Sequence, residues 1–402
     1  MSENRVQQRL QQKEATIVWF NYMDNLRAIA LVLGVFFHAA IAYSPISQKL
    51  WPASNPVNSM ALEFGALFSH TFRMPLFFLI SGFFAHMLLK KRGVIGFIKN
   101  RLKRILLPFL VFLPLVIASL VGGMLWAAQF VEMPSPFLES IIPTALDPLN
   151  IKPDLPFSTG HLWFLYNLFM FCCLLALIWL LGPRLLKLSR VRWLYSLITA
   201  RFLIFLLPCL LVPALCLVTA PYHAPDSLIP ELWSFAYFGI FFLLGFLIYA
   251  KQQLLDELIP NATSLLFVSL AFYVYFYLEI KDIKMTWDLI YGHQASWSAV
   301  PVAAAQAFIS VYMSLWCLLV GKKYLDRKNR LLTIISESSY WVYIVHLPIL
   351  LMIQYALLDI HLGATVEFLI SSLLTLSMSI ASYYLLIKPT PLVWLLRGRS
   401  KS

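Results

Sequence analysis

The sequence predicts an all-α polytopic membrane protein of about ten transmembrane helices, with both termini cytoplasmic. Composition is one reason. Of 402 residues, 60% are hydrophobic and only 12% charged, whereas soluble domains are nearer half and a quarter; mean hydropathy is +0.76. Apolar runs of bilayer-crossing length are another. They fall at 25–44, 62–89, 105–130, 162–181, 202–220, 233–250, 262–280, 298–320, 334–357 and 365–387, and about 20 helical residues cross the hydrocarbon core. The placement of Lys and Arg is the third. Twenty-five of the 31 lie in the terminal segments and even-numbered loops, four lie in the odd-numbered loops, and Arg27 and Arg73 lie inside runs. Basic residues stay on the cytoplasmic side, so the net charge of +12 needs no nucleic-acid partner.

The expected organisation is a cytoplasmic N-terminal segment (1–23), a transmembrane domain (24–388) and a basic cytoplasmic tail (389–402). The first apolar run is long enough to act as a signal anchor, with no cleavable signal peptide before it. The second and third runs are long enough to tilt or to include interfacial turns. The longest outer loop, 131–161, is Pro-rich and carries Glu132, Glu139, Asp147 and Asp154. Cys172, Cys173, Cys209, Cys216 and Cys317 all sit in apolar runs without metal spacing, so neither a disulfide framework nor a metal site is expected.

Ionisable groups inside a membrane are costly and become functional candidates. Here they are Arg27, His38, Glu63, His70, Arg73, His161, His346 and Glu367. In the first run, "DNLRAIALVLGVFFHAAIAY", Arg27 and His38 are eleven residues apart, close to three helical turns. Asp24, Arg27, Leu31, Gly34 and His38 therefore share one face, which should point into the protein because lipid cannot satisfy it. The rise from Arg27 to His38 is ~16 Å. Gly34 thins the face between them and leaves room for a neighbouring helix or a slim ligand.

The second run holds "HTFRMPLFFLISGFF". Arg73 has no opposite charge within a turn, so it calls for a carboxylate, phosphate or carbonyl partner elsewhere. Pro75 frees a backbone carbonyl near Thr71 for ligand or water. Ser81–Gly82 permits close helix approach. His86, near Lys90 and Lys91, reads as interfacial. Counted along alternating helix directions, His38, His70, Arg73, His161 and His346 reach one depth in the outer half of the bilayer. His223, His293 and His361 fall in outer loops and are expected to be solvated. At the cytoplasmic side, "KNRLKRILLP" places Arg101 and Arg104 at i, i+3 on one face, which suits either membrane anchoring or a phosphate site.

These residues resemble the membrane-bound acyltransferase-3 family. Arg27 and His38 match its Arg-x10-His signature, and "FRMPLFFLISGFF", "NRLKRILLP", "HLWFL" and "SSYWVYIVHLP" match in kind and order from about residue 22 to 388. The first two motifs look closest to its periplasmic glucan succinyltransferase branch. The resemblance implies an O-acyltransferase of the inner (plasma) membrane. It would move an acetyl or succinyl group from cytoplasmic acyl-CoA, the donor substrate, to a hydroxyl of an extracytoplasmic glycan, with no permanently bound cofactor. No fused esterase-like domain is expected, so the acceptor would be captured by the membrane domain and short outer loops. His38 would be the general base. Arg73 would stabilise the oxyanion or bind a succinyl carboxylate. Arg101 and Arg104 would bind CoA phosphates, and Asp24 would orient Arg27 at the donor mouth. His70, His161 and His346 would bind acceptor or orient His38. Ten helices with intramembrane charges also fit a secondary transporter or lipid-linked glycan flippase, but no two-half repeat supports it.

Overall fold

The computed structural model describes residues 20–146, 158–185, 196–292 and 296–396. The N-terminal segment up to residue 19, Asp147 and Asp154 of the longest loop, most of the basic segment between the fourth and fifth runs, His293 and the last six residues lie outside them.

Among the described residues, ten principal helices account for the ten runs: α1 Asn21–Ile41, α2 Met60–Arg101, α3 Leu107–Phe130, α4 Trp163–Leu185, α5 Leu207–Leu215, α6 Leu232–Ala250, α7 Ala262–Ile280, α8 Val300–Tyr324, α9 Arg330–Leu357 and α10 Ala364–Ser382. Among the described residues there is no β-strand, only an isolated bridge between Ser158 and Ser227. Eight helical stretches among the described residues are long and apolar enough to cross a membrane. One of them, Met60–Phe130, spans 71 residues and covers two expected runs. It breaks at Gly93, whose φ of 64° and ψ of 179° are not helical. A positive φ is strained for any residue with a Cβ, so the end of the second crossing is written at this glycine. Below it, a π-helical turn, Leu102–Leu106, leads into α3.

The fifth run is where the expectation of 202–220 needs correcting. Its helix, Phe202–Leu215, is short and would reach only ~21 Å at 1.5 Å per residue. Pro208 and Pro213 remove backbone donors, and the helix ends at Leu215. Mean hydropathy does not register this. Residues 216–231 instead lead to Tyr222, His223 and Asp226, which line the central cavity.

The tightest contact in the bundle is the crossing of α2 and α6. A Cβ on Gly82 would lie 1.8 Å from the Phe242 carbonyl oxygen, and one on Gly245 would lie 1.8 Å from that of Leu79. The "SG" pair does allow the close approach expected of it. α8 is the most enclosed spanning helix, with 72% of its apolar window buried. Its Ser310 Oγ donates to the Thr71 carbonyl at 2.7 Å. The carbonyl freed by Pro75 is therefore taken by a neighbouring helix, not left to ligand or water as the sequence suggested.

Two buried carboxylates that looked functional prove to be loop staples. Glu63 is fully buried and accepts from Ser44 Oγ at 2.7 Å, the Ile46 N–H at 3.0 Å and Tyr277 OH at 3.1 Å. Glu367, also buried, accepts from Asn55 Nδ2 and from the Leu362 and Gly363 N–H groups. Between them they pin the segment after α1, where Trp51 Nε1 donates to Gln354 Oε1 at 2.9 Å.

Candidate active site

A cavity of about 1460 Å³ runs through the bundle. The whole α1 stripe lines it: Asp24, Arg27, Leu31, Gly34 and His38. So do His70, Arg73, Arg101, Arg104, His161 and His346. Every residue singled out from the sequence for catalysis or substrate binding thus faces one space, although they come from five segments of chain.

At the basic end, Arg27 Nη2 lies 3.2 Å from Asp24 Oδ1 and donates to Ser336 Oγ at 2.9 Å. Arg101 ends α2, with its guanidinium 5.1 Å from the Phe97 ring centroid and Nε enclosed without a partner. Arg104 lies in the π-helical turn, where its carbonyl accepts from Tyr340 OH at 2.9 Å. Arg92, Asn100 and Lys328 join them in the lining.

Midway, Arg73 is 4% exposed. Its guanidinium sits 4.2 Å above the Phe37 ring, and Nη1 donates to the Leu33 carbonyl at 3.4 Å. Its side chain lies 3.9 Å from where a Cβ on Gly34 would be, so the thin face of α1 is what admits it. Among the described residues Arg73 has no acidic partner, and it lines the cavity.

The histidines form a chain of rings. His38 lies 5.4 Å from His346, centroid to centroid, and His346 lies 5.2 Å from His161. His38 also stacks on Trp51 at 5.7 Å, and His70 stacks on Phe37 at 4.9 Å. Three of the four rings are tied to backbone. His346 Nδ1 lies 2.8 Å from the Tyr343 carbonyl, His161 Nε2 is 3.0 Å from that of Ile344, and His70 Nε2 is 2.9 Å from that of Tyr222. A carbonyl only accepts, so each of these nitrogens carries the proton and its tautomer is set. The Ile344 carbonyl is free for His161 because residue 348 is proline and has no N–H to offer. His38 differs: neither ring nitrogen has a hydrogen-bond partner among the described residues, and Nδ1 is enclosed.

At the far end the lining includes Trp51, Pro221, Tyr222, His223, Asp226, Met285 and Trp287, and no Lys or Arg from these segments. His223 corrects an expectation here. It is not a solvated loop residue but lies 3.2 Å from Glu231 Oε2, Nε2 to oxygen, at the cavity mouth. His361 is exposed as expected.

Residues 20–384 match the acyltransferase-3 family, described as an acyltransferase domain. The chain belongs to the acyltransferase-3 family. This membrane acyltransferase is similar to glucans biosynthesis protein C of Salmonella gallinarum, 26% identical over 341 residues that cover 82% of each chain. A protein of the same name from Escherichia coli strain SMS-3-5 is 35% identical over 95 residues, 24% of each chain. No solved structure matches.

Sequence reasoning about the acyltransferase missed Trp51, Tyr222, Asp226 and Trp287. All lie outside the long helices, where no periodicity marks an inward face. Arg92 and Lys328 were visible only as members of basic clusters.

Proposed function

We propose that this acyltransferase moves an acetyl or succinyl group from cytoplasmic acyl-CoA to a hydroxyl of an extracytoplasmic glycan, across the inner (plasma) membrane. The observation that carries this reading is the polarity of the cavity. Arginines line one end, aromatic rings and Asp226 line the other, and His38 and Arg73 lie between. Arg92, Arg101 and Arg104 suit the diphosphate of CoA. The pantetheine arm has about thirteen bonds between sulfur and phosphorus, the length of about four peptide residues, and reaches roughly 15 Å when extended. The rise along α1 from Arg27 to His38 is ~16 Å. Donor phosphates held beside Arg27 therefore bring the thioester level with His38.

His38 acts as the general base. It lies on the α1 stripe between the arginine-lined end and the aromatic end, and an imidazole there can take up and return a proton. The acceptor oxygen attacks the thioester carbonyl carbon while His38 takes the hydroxyl proton. The C–S bond then breaks, the proton passes to the leaving sulfur, and His38 returns neutral. Arg73 stabilises the oxyanion, or binds the distal carboxylate when the donor is succinyl-CoA. A buried guanidinium without an acidic partner on the cavity wall supports either role. The aromatic far end, free of cations, suits an uncharged sugar, and the name of the relatives makes glucan the first acceptor to try.

The test is label transfer from radioactive acetyl- or succinyl-CoA to glucan by the purified protein, with an acid quench to trap label on the chain. His38→Ala should lose about 10²–10⁴-fold in rate. Transfer that survives this substitution would sink the mechanism. Label trapped on wild type but not on His38→Ala would replace direct attack by an acyl-His38 route.

A further inference from the structure

Beside the arginine-lined mouth lies a second, open groove of about 830 Å³. It shares Lys328, Thr333 and Glu337 with the main cavity, so the two are adjacent. Its other walls are Asn329, Arg330, Ile334, Ile380, Tyr384 and Lys388. The acidic groups near it are already engaged: Glu337 lies 3.9 Å from Lys388 and accepts from Tyr384 OH at 3.3 Å, and Asp24 pairs with Arg27. Lys388 is also held over the Tyr384 ring at 4.5 Å. Lys328 and Arg330 are exposed and have no acidic partner among the described residues.

Position along α9 orders the two sites. Ser336 is level with Arg27, to which it is hydrogen-bonded. Lys328 lies eight residues before it, ahead of the first residue of the helix, Arg330. That places the Lys328–Arg330 pair roughly 10 Å beyond the Arg27 level along the helix axis, on the side away from His38. A diphosphate beside Arg27 would therefore lie between His38 and this groove along the helix axis.

We propose that the groove binds the 3′-phosphoadenosine end of the CoA donor, with Lys328 and Arg330 on the 3′-phosphate and the adenine against Ile334, Ile380 and Tyr384. This rests on acyl-CoA being the donor, as proposed above. Two unpaired cations beside an apolar wall fit a phosphate joined to a flat heterocycle. The same cations could serve a lipid phosphate, which the test separates.

The experiment compares CoA with 3′-dephospho-CoA, by calorimetric titration of the full-length protein in neutral-lipid nanodiscs and in nanodiscs with anionic lipid. The wild type should bind CoA at least ~10-fold more tightly than dephospho-CoA. Lys328→Ala/Arg330→Ala should weaken CoA binding to the dephospho-CoA level. The charge-conserving pair Lys328→Arg/Arg330→Lys should restore most of the difference. Equal binding of the two ligands by the wild type overturns the proposal. So does an equal loss for both ligands in the double variant, which would mean general attraction only, and so does a loss that appears only with anionic lipid, which would assign the pair to headgroups. If the wild type binds neither ligand, the donor assignment itself fails and takes this site with it.

Discussion

At the scale of single residues, the four cavity histidines differ in what holds them. His70, His161 and His346 each spend one nitrogen on a backbone carbonyl, and His38 spends none. In each anchored ring the tautomer is fixed and the other nitrogen is left as the acceptor. Arg73 has no acidic partner among the described residues, and its planar fork differs from an ammonium in more than shape. Arg73→Lys keeps the charge but loses the second N–H donor at the reacting centre. It should lower kcat about 10²-fold with only a small change in melting temperature, as checked by single-turnover kinetics beside a thermal-shift assay. The buried carboxylates make the opposite case. Glu63→Gln puts an amide nitrogen, which cannot accept, among three donors. The cost should be about 1–3 kcal/mol, read as a lower melting temperature, and should appear whether or not substrate is bound.

At the scale of elements, helices made the site legible and loops hid it. The stripe on α1 could be read because 3.6 residues per turn puts Arg27 and His38 on one line, and that line does face the cavity. Trp51 stacks on His38 from a segment whose position depends on Glu63, Glu367 and Gln354, each distant in sequence or structure, and no local pattern encodes that. α5 ends at Leu215 although every residue around it is apolar, so hydropathy overstated the run. Prolines act in a second way, by freeing carbonyls for partners on other helices. Restoring a donor in α9 with Pro348→Ala should compete with His161 for the Ile344 carbonyl. Activity should fall about 10-fold while thermal stability holds or rises, a divergence that simple misfolding would not give. The α2–α6 crossing gives a steric test. Gly82→Ala forces backbone apart and should cost about 1–3 kcal/mol. Gly65→Ala on the same helix meets nothing within 4 Å and should be neutral or gain up to ~1 kcal/mol.

At the scale of the whole molecule, the cavity bears on how the proposed charged donor could serve a site behind an apolar barrier. With acyl-CoA as the proposed donor, its phosphates need not enter the bundle, because the arginines sit at one end of the cavity and only the slim arm has to pass the Arg27–Gly34–His38 face. The acceptor need not cross either, because the other mouth holds Trp51, Tyr222 and Trp287. This division makes a prediction about sidedness. In a cysteine-free background, Trp287→Cys and Arg92→Cys place one thiol at each mouth. In intact cells, a membrane-impermeant maleimide should label Trp287→Cys and leave Arg92→Cys untouched until the membrane is permeabilised. Acyl-CoA should then protect Arg92→Cys, and glucan should protect Trp287→Cys. Labelling of both thiols from the same side would place donor and acceptor in one compartment and remove the transmembrane route. Protection of both by CoA alone would mean that the donor fills the whole passage, leaving the acceptor no access to His38 from the aromatic end.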